Sequence, residues 1–406
     1  MTETARHGAG VDVVDAGVTC SLGRTWPDVL SAIKRGQSGL VYEEIHGYPT
    51  AIGRVKDDFR LEWDDGIVLD RGVALALDCV EQLRPLGRVN RSRCGVFWGV
   101  GIAGAHWLED SYELYCADRG EARVSPWTVP MIMPNASAAL IAKHLGFTGG
   151  AWTQASACAS SALAIGQAYQ AIRSGALDVA VVGGSDAMLT PGMLHAWARM
   201  RVLARASEAD APKVCKPFDA ARNGLCLAEG AACLVLMNSE LATASAVQPL
   251  AQLEGFGCSC DAFDLTVPHA QGQAQAIAAA VSDARIGAAD LSYVCAHATG
   301  TRKGDATELH ALRLALGDVV PKCPVSSIKS VVGHTMGASG ALACVLTTAM
   351  LHDNWVAPTQ HLYTPDMAFT GWNLVAQTGR KDSDLNYALI NAFGFGGSNA
   401  CLVLKK

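Results

Sequence analysis

Short apolar runs alternate with longer helix-forming stretches along this chain. Residues 11–23, 94–100, 178–183, 230–236, 250–260, 293–296 and 398–404 read as strands, and helix formers fill much of the sequence between them. That alternation predicts largely parallel sheets flanked by helices. Two stretches, 145–172 and 330–352, contain no Asp, Glu, Lys or Arg. Ser, Thr, Gln and Gly interrupt both, so neither holds a continuous apolar run of membrane length. Each is expected to contain a helix covered by protein on all sides.

The pattern also repeats. Residues 230–236 read GAACLVL and residues 398–404 read SNACLVL, each an apolar strand that closes its half of the chain. Each half has an apolar strand, a turn of small residues and an uncharged helix, around Cys158 in the first and His334 in the second. We therefore expect two similar α/β halves, 1–245 and 246–406. An uncharged helix in each half needs cover on both faces, which predicts five layers, α-β-α-β-α, with both helices between two sheets. No Pro/Ser/Gly-rich linker separates the halves, which argues against two domains on a tether.

Composition narrows the class. Of 406 residues 50% are hydrophobic and 17% charged, and the net charge is −6. Nucleic-acid binding would need a basic patch that this balance does not supply. The 14 cysteines are scattered, with no C-x-x-C and a single C-x-C at Cys258 and Cys260. A disulfide framework belongs to small secreted chains, so a reducing, cytoplasmic compartment is expected. Residues 1–12 have no apolar h-region, so no signal peptide is read. No zinc-type ligand spacing or phosphate-binding GKS/GKT loop occurs, so no metal or nucleotide cofactor is expected. GVGIAG at 99–104 follows an apolar strand, but lacks the second strand and acidic residue of a dinucleotide site.

Four segments carry candidate chemistry. In TQASACASSALAIGQAYQAIRSG, Cys158 falls at the start of a helix that Gly175 ends. Unpaired amides and the helix dipole there would favour a thiolate and could hold an oxyanion. A small buried cysteine is the competing reading. In YVCAHATGTRKGDATE, an apolar strand delivers His297, followed by Thr299, Gly300 and Thr301, a floor for an extended polar ligand, and by Asp305 and Glu308. A satisfied turn histidine is the alternative. In VSSIKSVVGHTMGASGALA, a strand is expected to deliver Lys329, with His334 in the glycine-rich turn beyond. A lysine beside an apolar helix needs a partner, for which Glu308 is the candidate, unless it reaches solvent. NAFGFGGSN at 391–399 places Phe393 and Phe395 between glycines that permit close approach and hinge motion, or simply a tight turn.

Taken together, SACASSALAIG, AHATGTRKGDATE, SSIKSVVGHTMGASGA and NAFGFGGSNA resemble, in order and spacing, the β-ketoacyl-acyl-carrier-protein synthases of the thiolase superfamily, over nearly the whole chain. The resemblance implies a five-layer thiolase-like fold and a decarboxylative Claisen condensation in fatty-acid or polyketide/polyene elongation. It implies that Cys158 accepts the acyl group and that His297 and His334 stabilise the enolate formed when malonyl loses carbon dioxide. Lys329 and Glu308 would hold that network. Thr299 and Thr301 would line the phosphopantetheine tunnel, and Phe393 would bind substrate. Phe395 would gate the site and complete an oxyanion hole with the Cys158 amide, and Ile102 would close the acyl pocket near a dimer interface. The implied partners are an acyl carrier protein bearing the phosphopantetheine, acyl and malonyl thioesters, and a second copy or a related ketosynthase-like subunit. Neither nucleic acid nor membrane is implied. A ketosynthase paired with a non-catalytic chain-length factor and a thiolase-type acyltransferase are the neighbouring readings. Ala298, Leu225 and Cys226 stand where the family pattern has Gly and Phe-Val.

Overall fold

The computed structural model describes residues 9–56, 62–63, 66–117 and 124–406. Most of the segment read as lacking an apolar leader (1–8), and the polar loop 118–123, lie outside the described residues. Ten strands form the main sheet: β1 (Val11–Cys20), β2 (Cys94–Gly99), β3 (Ala151–Gln154), β4 (Val179–Asp186), β5 (Gly230–Asn238), β6 (Ala251–Cys260), β7 (Leu291–Cys295), β8 (Val325–Ser326), β9 (Tyr387–Phe393) and β10 (Ser398–Lys405). Their order is β8-β7-β9-β10-β6-β1-β5-β4-β2-β3. β1 and β6 meet through only two residue pairs, Asp12 with Gln252 and Val13 with Ala251. On either side of this seam lie five strands of one plan. β1, β5 and β4 pair antiparallel, then β2 and β3 continue parallel. β6, β10 and β9 pair antiparallel, then β7 and β8 continue parallel. On this internal symmetry we propose 1–245 and 246–406 as the two halves.

Six helices complete the layers: α1 (Arg71–Val80), α2 (Ala136–Leu145), α3 (Ser160–Arg173), α4 (Ala270–Asp283), α5 (Arg302–Leu316) and α6 (Ser339–Asp353). Side chains alternate across each strand, so one face of each five-strand set turns inward and the other outward. In β5, Ala232, Leu234 and Leu236 join the central core with α3 and α6, while Cys233, Val235 and Met237 pack outward with α1 and α2. In β10, Ala400, Leu402 and Leu404 face the same central core, while Cys401 and Val403 pack against α4 and α5. The result is the expected α-β-α-β-α stack. Its middle layer explains the uncharged sequence: every residue from Ser339 to Leu351 is buried. A charge there would carry an unpaired desolvation penalty of several kcal/mol. Among the described residues no helix is long and apolar enough to cross a membrane.

Both central helices begin the same way. One-turn helices, Ala157–Ala159 and Met336–Ala338, precede α3 and α6. Ala157 (φ 50°) and Met336 (φ 49°) adopt the left-handed conformation that non-glycine residues rarely take. The sequences align as ACASSALA at 157–164 and MGASGALA at 336–343. The internal symmetry thus places Gly337 where the other half has Cys158.

Candidate active site

The left-handed turn at Ala157 lifts Cys158 to the start of α3, where it is 6% exposed. Ser160 Oγ fixes this turn by accepting the Ser156 amide at 2.8 Å. Cys158 Sγ lies 3.0 Å from His334 Nε2, and His334 Nδ1 lies 2.8 Å from Ser339 Oγ. The amide of His334 donates to the Cys226 carbonyl at 2.7 Å, which fixes its backbone. His297 stands edge-on to His334, with ring centroids 5.4 Å apart and planes at 82°. One ligand-type atom from each of Cys158, His297 and His334 falls within 4.8 Å of the others. His297 Nδ1 is buried with no hydrogen-bond partner, which leaves one polar atom of the site for a ligand.

His297 is held through its backbone. Glu308, on α5 and 1% exposed, accepts the His297 amide at 2.8 Å, the Ala298 amide at 2.7 Å and Asn391 Nδ2 at 2.9 Å. Hydrogen bonds to a charged group contribute roughly 1.5–3 kcal/mol each, so three of them offset part of a burial penalty that still raises the Glu308 carboxyl above its ordinary value. Asp305, one turn earlier, accepts the amides of Phe218 (2.8 Å) and Gly300 (3.1 Å) and lies 3.5 Å from Arg222 Nε. These carboxylates pin the 297–301 loop, on which Thr299 Oγ1 and Thr301 Oγ1 lie 3.2 Å apart.

Lys329 departs from expectation in two respects. It opens a helical turn, Lys329–Val332, beyond the short strand β8, because the strand stops at Ser326. It is 4% exposed, yet no carboxylate lies within ion-pair distance of it among the described residues. Glu308 does not pair with it directly, since that carboxylate binds the His297 loop. Lys329 acts instead as a buried cation at longer range. Burial opposes protonation of both histidines and the Lys329 charge adds to it, so both are held well below the ordinary histidine range.

Cys158 also differs from the sequence expectation of a resting thiolate. Burial pushes its thiol up to about 12, and the Lys329 charge and the amides of Phe395 and Cys158 pull back only in part. The helix terminus loses to desolvation here, because the sulfur is almost fully enclosed. The site at rest therefore holds a neutral thiol beside two neutral imidazoles. Replacing Lys329 with Met is expected to let both histidines take a proton at higher pH. The acid limb of the rate profile should move up toward pH 6.5, the ordinary histidine value. A profile unchanged in the folded variant would contradict that role for the lysine.

A cavity of about 450 Å³ leads to these groups, and Cys158, His297, Thr299, Thr301, His334, Phe393 and Phe395 all line it. Phe395 lies in a short 3-10 turn whose Gly396 (φ 81°) and Gly397 (φ 76°) need the left-handed freedom of glycine. Its ring stacks on Trp197 with centroids 6.0 Å apart. Ile102 is the residue that the structure separates from the rest: in the single chain it is 42% exposed and outside this cavity. Other lining residues carried no sequence signal. Asp261 and the segment 264–268 form a second wall, tied to the Phe395 loop by Gly396 N donating to Leu265 O at 2.7 Å. Gln273, 2% exposed on α4, presents an unpartnered Oε1.

Residues 62–242 match the description "Beta-ketoacyl synthase, N-terminal domain", and residues 250–363 match "Beta-ketoacyl synthase, C-terminal domain". The chain belongs to the β-ketoacyl synthase family. The synthase is 34% identical over 316 residues to 3-oxoacyl-[acyl-carrier-protein] synthase 2 of Staphylococcus aureus (strain COL), covering 77% of this chain and 75% of that one. It is 33% identical over 408 residues to nodulation protein E of Rhizobium sp. (strain N33), covering 98% and 99%. Among solved structures, it is similar to a type II polyketide ketosynthase bound to its acyl-carrier protein (TM-score 0.90, 25% identity, 98% and 99% covered). It is also similar to the ishigamide ketosynthase/chain length factor (TM-score 0.87, 26% identity, 98% and 99% covered). The synthase is thus a condensing enzyme of the acyltransferase class, a β-ketoacyl-acyl-carrier-protein synthase of fatty-acid or polyketide elongation with a thiolase-like fold.

Proposed function

We propose that Cys158 takes an acyl group from a carrier thioester and that His297 and His334 then drive decarboxylation of a carrier-bound malonyl unit. The observation that carries this reading is the 3.0 Å contact between Cys158 Sγ and His334 Nε2, with His297 beside it at the end of a cavity. The Ser339 hydroxyl can donate to or accept from His334 Nδ1 by rotating. With Nδ1–H donating to Ser339, Nε2 accepts the Cys158 proton as sulfur attacks the acyl carbonyl. That proton then passes to the departing carrier thiolate. With Ser339 donating instead, Nε2 carries a proton that it can offer to an oxyanion.

In the second half-reaction the malonyl C–C bond breaks and carbon dioxide leaves with its oxygens, while the electron pair stays as an enolate. The enolate oxygen accepts from His334 Nε2–H and from His297, and the enolate carbon attacks the acyl thioester on Cys158. The resulting oxyanion faces the amides of Phe395 and Cys158, which reach the sulfur region at rest. Collapse expels the Cys158 thiolate and leaves a β-ketoacyl carrier thioester. Loss of carbon dioxide supplies the carbanion, so these steps balance without a metal or a redox cofactor.

Thr299, Thr301, Phe393 and the unpartnered Gln273 Oε1 suit the amide-bearing phosphopantetheine arm of an acyl carrier protein. Ile102, exposed in the single chain, would reach an acyl pocket once a second copy or a related subunit covers it. The free cysteines fit a reducing cytoplasm. The test is to supply an acyl-carrier and a malonyl-carrier thioester and follow carbon dioxide and the β-ketoacyl product. Condensation by the chain alone supports a self-sufficient synthase, and condensation only after adding a ketosynthase-like subunit supports the chain-length-factor arrangement. Carbon dioxide release with no β-ketoacyl product under either condition would contradict the proposed condensation.

A further inference from the structure

Behind the nucleophile, β4 ends at a carboxylate that none of the steps above uses. Asp186 is 1% exposed. Its Oδ2 accepts the Gly101 amide at 2.9 Å and the Gly337 amide at short range, and its Oδ1 accepts the Ile102 amide at 3.1 Å. Three backbone donors from two loops therefore converge on one buried anion. The approach is possible because both loops are glycine at the contact. A Cβ on Gly101 would come within 2.5 Å of Asp186 Oδ2, and one on Gly337 within 2.6 Å of it and 2.4 Å of the Gly101 nitrogen.

The internal symmetry gives this contact a meaning. Asp186 faces Gly230 across β4 and β5, while Phe393 faces Asn399 across β9 and β10. With GAACLVL laid over SNACLVL, Asn399 falls on Ala231, whose β4 partner is Ser185. Phe393 thus corresponds to Ser185, and Gly394 to Asp186. Gly394 packs on the Cys158 turn, where an added Cβ would lie 3.2 Å from the Cys158 nitrogen. In the other half, the amide that corresponds to that of Cys158 belongs to Gly337, and Asp186 occupies it. The structure holds one open amide pocket, at Cys158, and one filled by an internal carboxylate.

The filled pocket is close enough to the open one to matter electrically. Burial opposes ionisation of Cys158 most strongly, the charge of Lys329 favours it, and the charge of Asp186 adds to the opposition. Asp70 at the start of α1 also faces Asp186, and His106 lies beside Asp70. Cys158 itself is faced by His297, His334 and Lys329. Burial raises Asp186 to about 7, so at the higher pH where the thiol titrates it is ionised and its charge is present.

We propose that Asp186 is a positioning residue that locks the 100–102 loop to the turn after His334, and that its carboxylate, when ionised, adds to burial in disfavouring the Cys158 thiolate. This inference rests on the reading of Cys158 as the nucleophile. The test measures iodoacetamide alkylation of Cys158 against pH in the full chain, with the labelled peptide identified by mass. Asp186→Asn keeps the shape and removes the charge, and Asp186→Ser removes the charge while keeping a smaller acceptor. Both are expected to lower the pH midpoint of alkylation by about one unit, the scale of a like charge removed from a buried neighbour. Both are also expected to depress kcat more than KM, because the His334 turn is loosened while the cavity wall is kept. A purely structural residue would lower thermal stability without moving the midpoint downward. A midpoint unchanged or raised in a folded variant would overturn the proposal. Wild-type Cys158 that resists alkylation at every pH would instead overturn the nucleophile reading, so the two failures are distinguishable.

Discussion

Replacing Cys158 with Ala is expected to abolish acyl transfer, with condensation falling on the order of 10⁴-fold or more, as when a covalent nucleophile is removed. The substitution removes one sulfur from a small-residue turn that Ser160 holds independently, so the fold should persist. Its value lies in what survives. His297 and His334 keep their supports, Glu308 and Ser339, none of which needs the thiol. Malonyl decarboxylation should therefore continue in the variant while no acyl-enzyme forms. Loss of both activities in a folded variant would mean that the thiol takes part in the decarboxylation step.

His297→Ala and His334→Ala are both expected to suppress decarboxylation. Each removes a donor aimed at the enolate oxygen, and one such donor is worth about a hundredfold or more in rate. The effect depends on an enclosed site, and both rings are held neutral by burial and by the Lys329 charge. Release of labelled carbon dioxide from a malonyl carrier thioester reports the step. His334→Ala should also slow acylation, because the Nε2 that receives the thiol proton is lost. His297→Ala should spare acylation, since the imidazole hydrogen-bonded to the sulfur is that of His334. Near-normal carbon dioxide release from either folded variant would remove that histidine from the mechanism.

Much of the fold was legible because burial in the middle layer is severe. A helix between two sheets tolerates no charge, so α3 and α6 stood out as uncharged stretches, and the strands on either side, buried on both faces, read as continuous apolar runs. The repeat of GAACLVL and SNACLVL exposed the internal symmetry for the same reason. The site was legible where chemistry needs a fixed residue type, at Cys158, His297 and His334. It was less legible where geometry decides. Glu308 hydrogen-bonds the His297 and Ala298 amides and acts on Lys329 only at longer range, a choice that depends on how α5 meets the 297–298 loop. The state of the Cys158 thiol depends on its enclosure, which the helix-terminus argument does not contain. The wall at Asp261 and 264–268 is an ordinary polar loop in sequence and becomes part of the cavity only through its bond to the Phe395 turn. Asp186 gave no signal because its role rests on two glycines far from it in the chain.

The most direct test of the central claim is to incubate the wild-type chain with an acyl-carrier thioester, digest it and locate the acyl group by mass. The account predicts one acyl group per chain, on Cys158, with the other 13 of the 14 cysteines unmodified. An acyl group on any other residue, with Cys158 free, would contradict it.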